Sequence, residues 1–324
     1  MTWRNFAGHR RGLELLALVL LGLLPLGADH VFNAYYLDLA TRIVITWIAL
    51  LGYDLLAGYT GLVSFGHAMF FGLGAYASAW VLLHIAPSLP LAMLSGLAIG
   101  AIAAMVIGYF TIRTRGIYFI LLTLAFAEFG FQAVFNGGGV TGGRNGLSGV
   151  PKGSGDISAF LGLDWFEPLP AYYVVLLVFV LAYIVARRIV ASPFGTSLVA
   201  VRENEDRASY LGYDVAAIKR RSFTMAAMFA GLAGALWAHH QSYVSPELLH
   251  WSLSGQFLIM TWLGGVGTLI GPLIGGAALM ALADFLSSLM ENWLIIFGVL
   301  YVIVVLWAPK GLWGVVTTLA RRGR

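Results

Sequence analysis

The stretch GYTGLVSFGHAMFFGLGAYASA, residues 58–79, sets five glycines, two serines and a histidine between runs that read as continuous membrane helix. Glycine costs a helix interior about 1 kcal/mol relative to alanine, so a spanning segment gains nothing from this cluster through propensity. The solvent in which it must fold is set by the rest of the chain. Apolar residues make up 60% of the sequence and charged residues 10%, and the mean hydropathy is +0.85. A soluble domain of this length could not divide such a composition between a core and a wetted surface. The chain therefore reads as an all-α polytopic membrane protein, with residues 1–324 forming a single transmembrane domain. Non-helical backbone at membrane depth survives only where protein or a water-filled path satisfies its amides.

Working outward, apolar segments that suit membrane helices fall at about 41–57, 66–85, 90–110, 117–135, 171–187 and 222–241, judged against the roughly 20 residues a span needs. An earlier one, about 13–27, follows Arg4, Arg10 and Arg11 and would also suit a secretory signal; it is counted here as the first membrane segment. With the amino terminus cytoplasmic, these crossings put Arg113 and Arg115 inside, the loop 136–170 outside, and the loop 188–221 in the cytoplasm. The charges agree. Arg187, Arg188, Arg202, Arg207, Lys219, Arg220 and Arg221 crowd the inner loop and its start, whereas the outer loop carries only Arg144 and Lys152. Lys310, Arg321, Arg322 and Arg324 should also lie inside, which asks for an odd number of crossings after residue 242. Segments at about 253–264, 266–283 and 292–308 supply three, the first too short to span comfortably, so a broken or re-entrant turn is expected at Gly264 and Gly265. The expectation is about 8–10 helices with glycine-rich interruptions and both termini cytoplasmic.

Cysteine is absent, which excludes disulfides and thiolate metal sites. The pI of about 9.3 does not point to nucleic acid, because the basic residues sit in short clusters between apolar runs. Two readings of the glycines remain open. Gly267, Gly271 and Gly275, like Gly96 and Gly100, have the spacing that lets neighbouring helices approach closely. The 58–74 stretch could instead form a path or its hinge, because Tyr59, Thr60, Ser64 and His67 stand among its glycines.

Isolated polar residues offer further candidates. Glu128 ends an apolar run, and a carboxylate in a membrane segment is costly unless paired or wet. Asp54 and Asp284 fall near predicted segment ends and read as interfacial. His239 and His240 are adjacent, so on a helix they point about 100° apart and do not chelate one metal. In the inner loop, Pro193 and Gly195 mark a turn, Thr196 can cap a helix, and Gly212 can end it. Leu198, Val201, Ala208 and Leu211 recur on one face of the helix so defined, 196–212, with charged residues elsewhere.

Four motifs now stand in order: the opening stretch, GIYFILLTLAFAE at 116–128, TGGRNGLSGVP at 141–151, and GGVGTLIGPLIGGA at 264–277. Over about 40–310 the chain resembles the permease subunits of branched-chain amino-acid ABC importers. The LivM-type fits better than the LivH-type, because of the long outer loop with its GGxxGL pattern, here Thr141, Gly142, Gly143, Asn145, Gly146 and Leu147. The resemblance implies a LivH-like second permease, two cytoplasmic ATPase subunits and a periplasmic substrate-binding protein, all at the bacterial inner membrane. It also implies that ATP is bound by partner subunits, with no cofactor, metal or catalytic residue on this chain; the sequence has no GxxxxGK[ST] phosphate loop. Gly58, Ser64, Gly66, His67, Gly74, Thr123 and Glu128 are then candidates for the translocation path or gate. Arg202, Glu203, Glu205, Ala208 and Gly212 are candidates for coupling to the ATPase. Members of this family handle aliphatic amino acids, other amino acids, urea or small organic acids, and no motif here sorts them. Two other classes stay open: an ion-coupled secondary transporter of small metabolites titrating at Glu128 and His67, and a passive channel.

Overall fold

The structure, a computed structural model, describes residues 34–152, 168–289, 298 and 311–314. The expected segment at 13–27, nearly all of that at 292–308, and part of the outer loop lie outside the described residues. Helix α1 (Ala34–Asp54) runs on into a π-helical turn, Leu55–Tyr59, and α2 (His67–His84) follows after an irregular stretch at 60–66. Helices α3 (Leu89–Thr111) and α4 (Ile117–Phe135) come next, with a short α5 (Gly138–Thr141) at the end of α4. Beyond the outer loop come α6 (Pro168–Ala191), α7 (Pro193–Glu203), α8 (Glu205–Tyr210) and α9 (Val215–Gln241). The hairpin of α10 (Trp251–Gly264) and α11 (Ile270–Leu289) closes the described bundle. Five of the described helices are long and apolar enough to cross a membrane, those at Ala34–Tyr59, Leu89–Thr111, Ile117–Phe135, Leu169–Ala191 and Ile270–Leu289.

At the centre stands α9, and small residues let its neighbours come close. Ala92, Gly96, Gly100, Ala104 and Gly108 of α3 form a buried stripe at four-residue spacing. A Cβ on Gly96 would lie 2.8 Å from the Ala235 Cβ, and one on Gly100 would lie 2.5 Å from the Ala227 carbonyl oxygen. The opposite face of α3 turns Leu94, Ile102, Met105, Val106 and Phe110 outward. Lipid tails are as apolar as leucine, so between these helices it is close backbone contact that holds, and bulk goes to the lipid side. The same device joins α10 to α11, where a Cβ on Gly275 would lie 2.8 Å from the Gly264 Cα. The expected turn is there: α10, at 14 residues, ends on Gly264, and Gly265 has φ 122°.

The two ends of the bundle are built differently. At one end α7, α8, the 112–116 turn and the start of α9 meet in salt bridges from Glu205 to Arg115 (3.2 Å) and to Lys219. At the other end the 141–146 motif folds on three glycines of positive φ, 71° at Gly142, 55° at Gly143 and 66° at Gly146. L-residues with a side chain rarely accept that conformation. The turn lets β1 (Leu147–Ser148) pair antiparallel with β2 (Tyr243–Val244), Leu147 opposite Val244. The Thr141 hydroxyl donates to the Val134 carbonyl (2.7 Å), and the Tyr243 hydroxyl to that of Asn145 (3.1 Å). The motif thus ties the segment after α4 to the α9–α10 connection.

Candidate functional site

The opening stretch folds as a helix, an interruption and a second helix, and the interruption is buried. Thr60 is 2% exposed, and Ser64 and His67 are 0%. Backbone groups freed here need partners, and side chains from several helices supply them. The Phe65 amide donates to the Thr123 hydroxyl of α4 (3.2 Å), and the Ala68 amide at the start of α2 donates to the Ser254 hydroxyl of α10 (2.8 Å). The Tyr53 hydroxyl donates to the Ser64 carbonyl (3.1 Å), and the Ser64 hydroxyl accepts from the Gly66 amide (3.1 Å). Thr60 and Ser222 of α9 share a hydrogen bond of 2.6 Å between their hydroxyls. A Cβ on Gly66 would lie 2.8 Å from the Thr123 carbonyl oxygen. Ser64, Gly66, His67 and Thr123 therefore gather at one place.

His67, the first residue of α2, is caged by aromatic rings. Tyr53 stands edge-on at 5.1 Å between centroids, with Phe70 and Phe257 at 6.2 and 6.3 Å. Among the described residues neither ring nitrogen has a hydrogen-bond partner.

Gly74 lies elsewhere. It faces Gly231 of α9, where a Cβ would stand 2.5 Å from the Gly231 Cα. Glu128 is also apart. Five residues separate it from Thr123, which turns it by about 140° around α4. Its carboxylate accepts from the Gln132 side chain (2.9 Å), and Asn136 donates to the Gln132 carbonyl (2.9 Å). The three form a polar ladder along an otherwise apolar helix, with Gln132 and Asn136 exposed and Glu128 half-buried.

Asp54 corrects the sequence reading. It is not interfacial but fully buried, and its two carboxylate oxygens accept from the Gly267 amide (2.6 Å) and the Leu269 amide (3.0 Å). Those amides belong to the second interruption, 265–269, between α10 and α11. The sequence placed Asp54 near a helix end because the apolar run stops at about 57, whereas the π turn carries the buried helix on to Tyr59. Asp284 is half-buried and accepts from the Tyr35 hydroxyl (2.6 Å). His240 pairs with Asp38 at 2.8 Å.

The expected helix 196–212 is two helices. Ser192, not Thr196, caps α7, accepting from the Gly195 amide (3.3 Å), with Pro193 in the first turn. Asn204 then breaks the run with extended backbone, and its side chain caps α8 by accepting from the Arg207 amide (2.8 Å). The sequence signals were SP at 192–193 and NED at 204–206. Leu198, Val201 and Ala208 are buried as expected, while Leu211, past the end of α8, is 72% exposed and Tyr210 90%. Gly212 takes φ 88°. Glu203 is exposed.

Arg202 of α7 joins the two halves of the site. Its guanidinium donates to the Gly58 carbonyl (2.6 Å) in the π turn, and a Cβ on Gly267 would stand 3.2 Å from the same guanidinium. The helix pair α7–α8 therefore reaches both interruptions through a single side chain. Below it, Arg115 binds Asp206 (3.0 Å) and Glu205. The Asp206 hydrogen bond, with the charge of Glu205, holds the Arg115 guanidinium above its ordinary pKa.

A family model described as the permease component of branched-chain amino acid transport systems matches residues 35–305. The chain is 32% identical over 298 residues to the high-affinity branched-chain amino acid transport system permease protein LivM of Salmonella typhimurium, covering 85% of this chain and 69% of that protein. It is 31% identical over 322 residues to the protein of the same name from Escherichia coli, covering 92% and 75%. A probable branched-chain amino acid transport permease protein LivM from Methanocaldococcus jannaschii is 24% identical over 174 residues, 48% of this chain and 50% of that one. No solved structure matches.

Proposed function

The chain belongs to the permease-component family of branched-chain amino-acid transport systems, and from that premise we propose that it forms half of the transmembrane pathway of an ATP-driven importer. Branched-chain or related amino acids are its cargo, and the bacterial inner membrane its site. The family match favours this reading over an ion-coupled carrier. Energy comes from two ATPase subunits that dock on the α7–α8 end, which the excess of basic residues assigns to the cytoplasm. A homologous second permease completes the pathway, and a binding protein delivers cargo to the opposite end, near 141–148.

One observation carries the mechanism: Arg202, on the helix pair that would meet the ATPase, bonds the Gly58 carbonyl beside both interruptions. Movement of α7 reaches Gly58 directly, and with it the backbone held by Ser64, Gly66 and Thr123. Buried interruptions tied by side chains can take two arrangements of similar free energy, and ATP binding shifts their populations only through contacts that differ between them. The Glu128–Gln132–Asn136 ladder runs from a half-buried carboxylate to exposed amides, and lipid contact there would cost several kcal/mol. It suits a wet path or the second permease.

Purification tests the assignment. The tagged chain should bring down a second permease and an ATPase in fixed ratio, and proteoliposomes of that complex should take up leucine only with ATP and loaded binding protein. Uptake by the chain alone, without nucleotide, contradicts it.

A further inference from the structure

At the end of the bundle where α7 and α8 lie, a cavity of about 200 Å³ opens between α3 and α9, lined by Gly108, Tyr109, Ile112, Arg113, Ala216 and Arg220. Gly108 and Ala216 leave room in its wall, and the two arginines bring charge to it. The Arg113 guanidinium lies over the Tyr109 ring at 4.5 Å from its centre, and Arg220 Nε makes a long hydrogen bond to the Ala216 carbonyl, 3.4 Å.

Three neighbouring cations are already matched. Arg115 and Lys219 are held by Glu205 and Asp206, and Arg202 by the Gly58 carbonyl. Among the described residues, Arg113 and Arg220 have no carboxylate partner. The cavity also sits at the foot of the outward apolar face of α3, where Met105 and Val106 are each 58% exposed and Phe110 is 53% exposed. Two guanidiniums lining one cavity beside an acyl-compatible surface have the chemistry to take an anionic phospholipid: phosphate against the arginines, chains along the helix.

We propose that this cavity binds the headgroup phosphate of an anionic phospholipid in the leaflet on the α7–α8 side. The inference depends on the chain spanning a membrane and not on what it transports. The test is native mass spectrometry of the delipidated full-length chain with its co-purifying subunits, titrated with phosphatidylglycerol, phosphatidylethanolamine and inorganic phosphate. Phosphatidylglycerol should bind at least about tenfold more tightly than phosphatidylethanolamine, and Arg113→Ala with Arg220→Ala should erase that preference. Arg188→Ala, at another exposed arginine on the same end, should keep it. Preference surviving the double substitution overturns the proposal. An equal loss in Arg188→Ala also overturns it, since diffuse surface charge then suffices. Displacement of the lipid by inorganic phosphate at equal concentration would make this a soluble-anion site instead. If the double variant fails to assemble, Ala216→Leu fills the cavity with both charges kept; loss of phosphatidylglycerol preference supports the site, and retention overturns it.

Discussion

At 60–68 the chain is tied by side chains from several helices: hydroxyls of Thr123, Tyr53 and Ser254 hold backbone groups of Phe65, Ser64 and Ala68, and Ser222 pairs with the Thr60 hydroxyl. At 265–269 one carboxylate does most of the same task, Asp54 accepting from two amides while Thr268 closes the turn locally. Spread over many neutral hydrogen bonds, the first interruption can lose any one tie for about 1 kcal/mol. The second depends on charge-assisted bonds to one group, which are roughly twice as strong each. A segment that must move is better held the first way, and a fixed pivot the second. On this account 60–66 rearranges during transport, 265–269 stays as its anchor, and Arg202 spans the two.

Asp54→Ala should break the comparison open most forcefully. It orphans two buried amides, at about 1–3 kcal/mol each, and should give the largest fall in unfolding midpoint among these variants, measured in detergent. Asp54→Asn keeps one acceptor and should fall between. If Asp54→Ala costs no more than Ser254→Ala, the pivot is not where the structure puts it.

Next in size is Gly74→Ala, whose added methyl meets the Gly231 backbone. Overpacking at such a contact costs about 1–3 kcal/mol, so this variant should be less stable without any change in cargo preference. Normal stability with altered preference would return Gly74 to the path.

Gly212→Val should cost about 1–2 kcal/mol from the left-handed backbone alone, with no steric cost added, because no described atom lies within 4 Å of the position a Cβ would take. Its other consequence should appear in uptake. Parental uptake in this variant would make the end of α8 a solvated connector.

Ser254→Ala and Thr123→Val each remove one hydroxyl from the first interruption and should cost about 1 kcal/mol or less. Hydrogen exchange at 60–68 should rise in both while that at 265–269 stays constant. Equal loosening of both interruptions would show that they are not separately held.

Much of this was legible in the sequence, for identifiable reasons. Long apolar runs located the described spans, and the pairing of Gly264 with Gly265 located the second turn, because membrane solvent leaves few other uses for such patterns. The clustering of Ser64, Gly66, His67 and Thr123 was only half visible, since Thr123 and Ser254 lie on helices far away in sequence. Asp54 was misread because hydropathy ends where the π turn continues. The split at Asn204 was missed because one apolar face, Leu198 to Ala208, runs through it, although Asn204 followed by two acids is a helix-start signal. Gly74 was indistinguishable from its neighbours in the motif, and only the position of Gly231 reveals what it touches.

The central claim is that Arg202 carries motion from α7 to the interruptions, and the ratio of uptake to ATP hydrolysis in proteoliposomes tests it most directly. Losing a hydrogen bond from a charged donor costs about 1.5–3 kcal/mol. Arg202→Ala should therefore lower cargo moved per ATP by about tenfold or more, with ATPase activity and complex assembly retained and Arg202→Lys partly restoring the ratio. A parental ratio in Arg202→Ala would contradict the account.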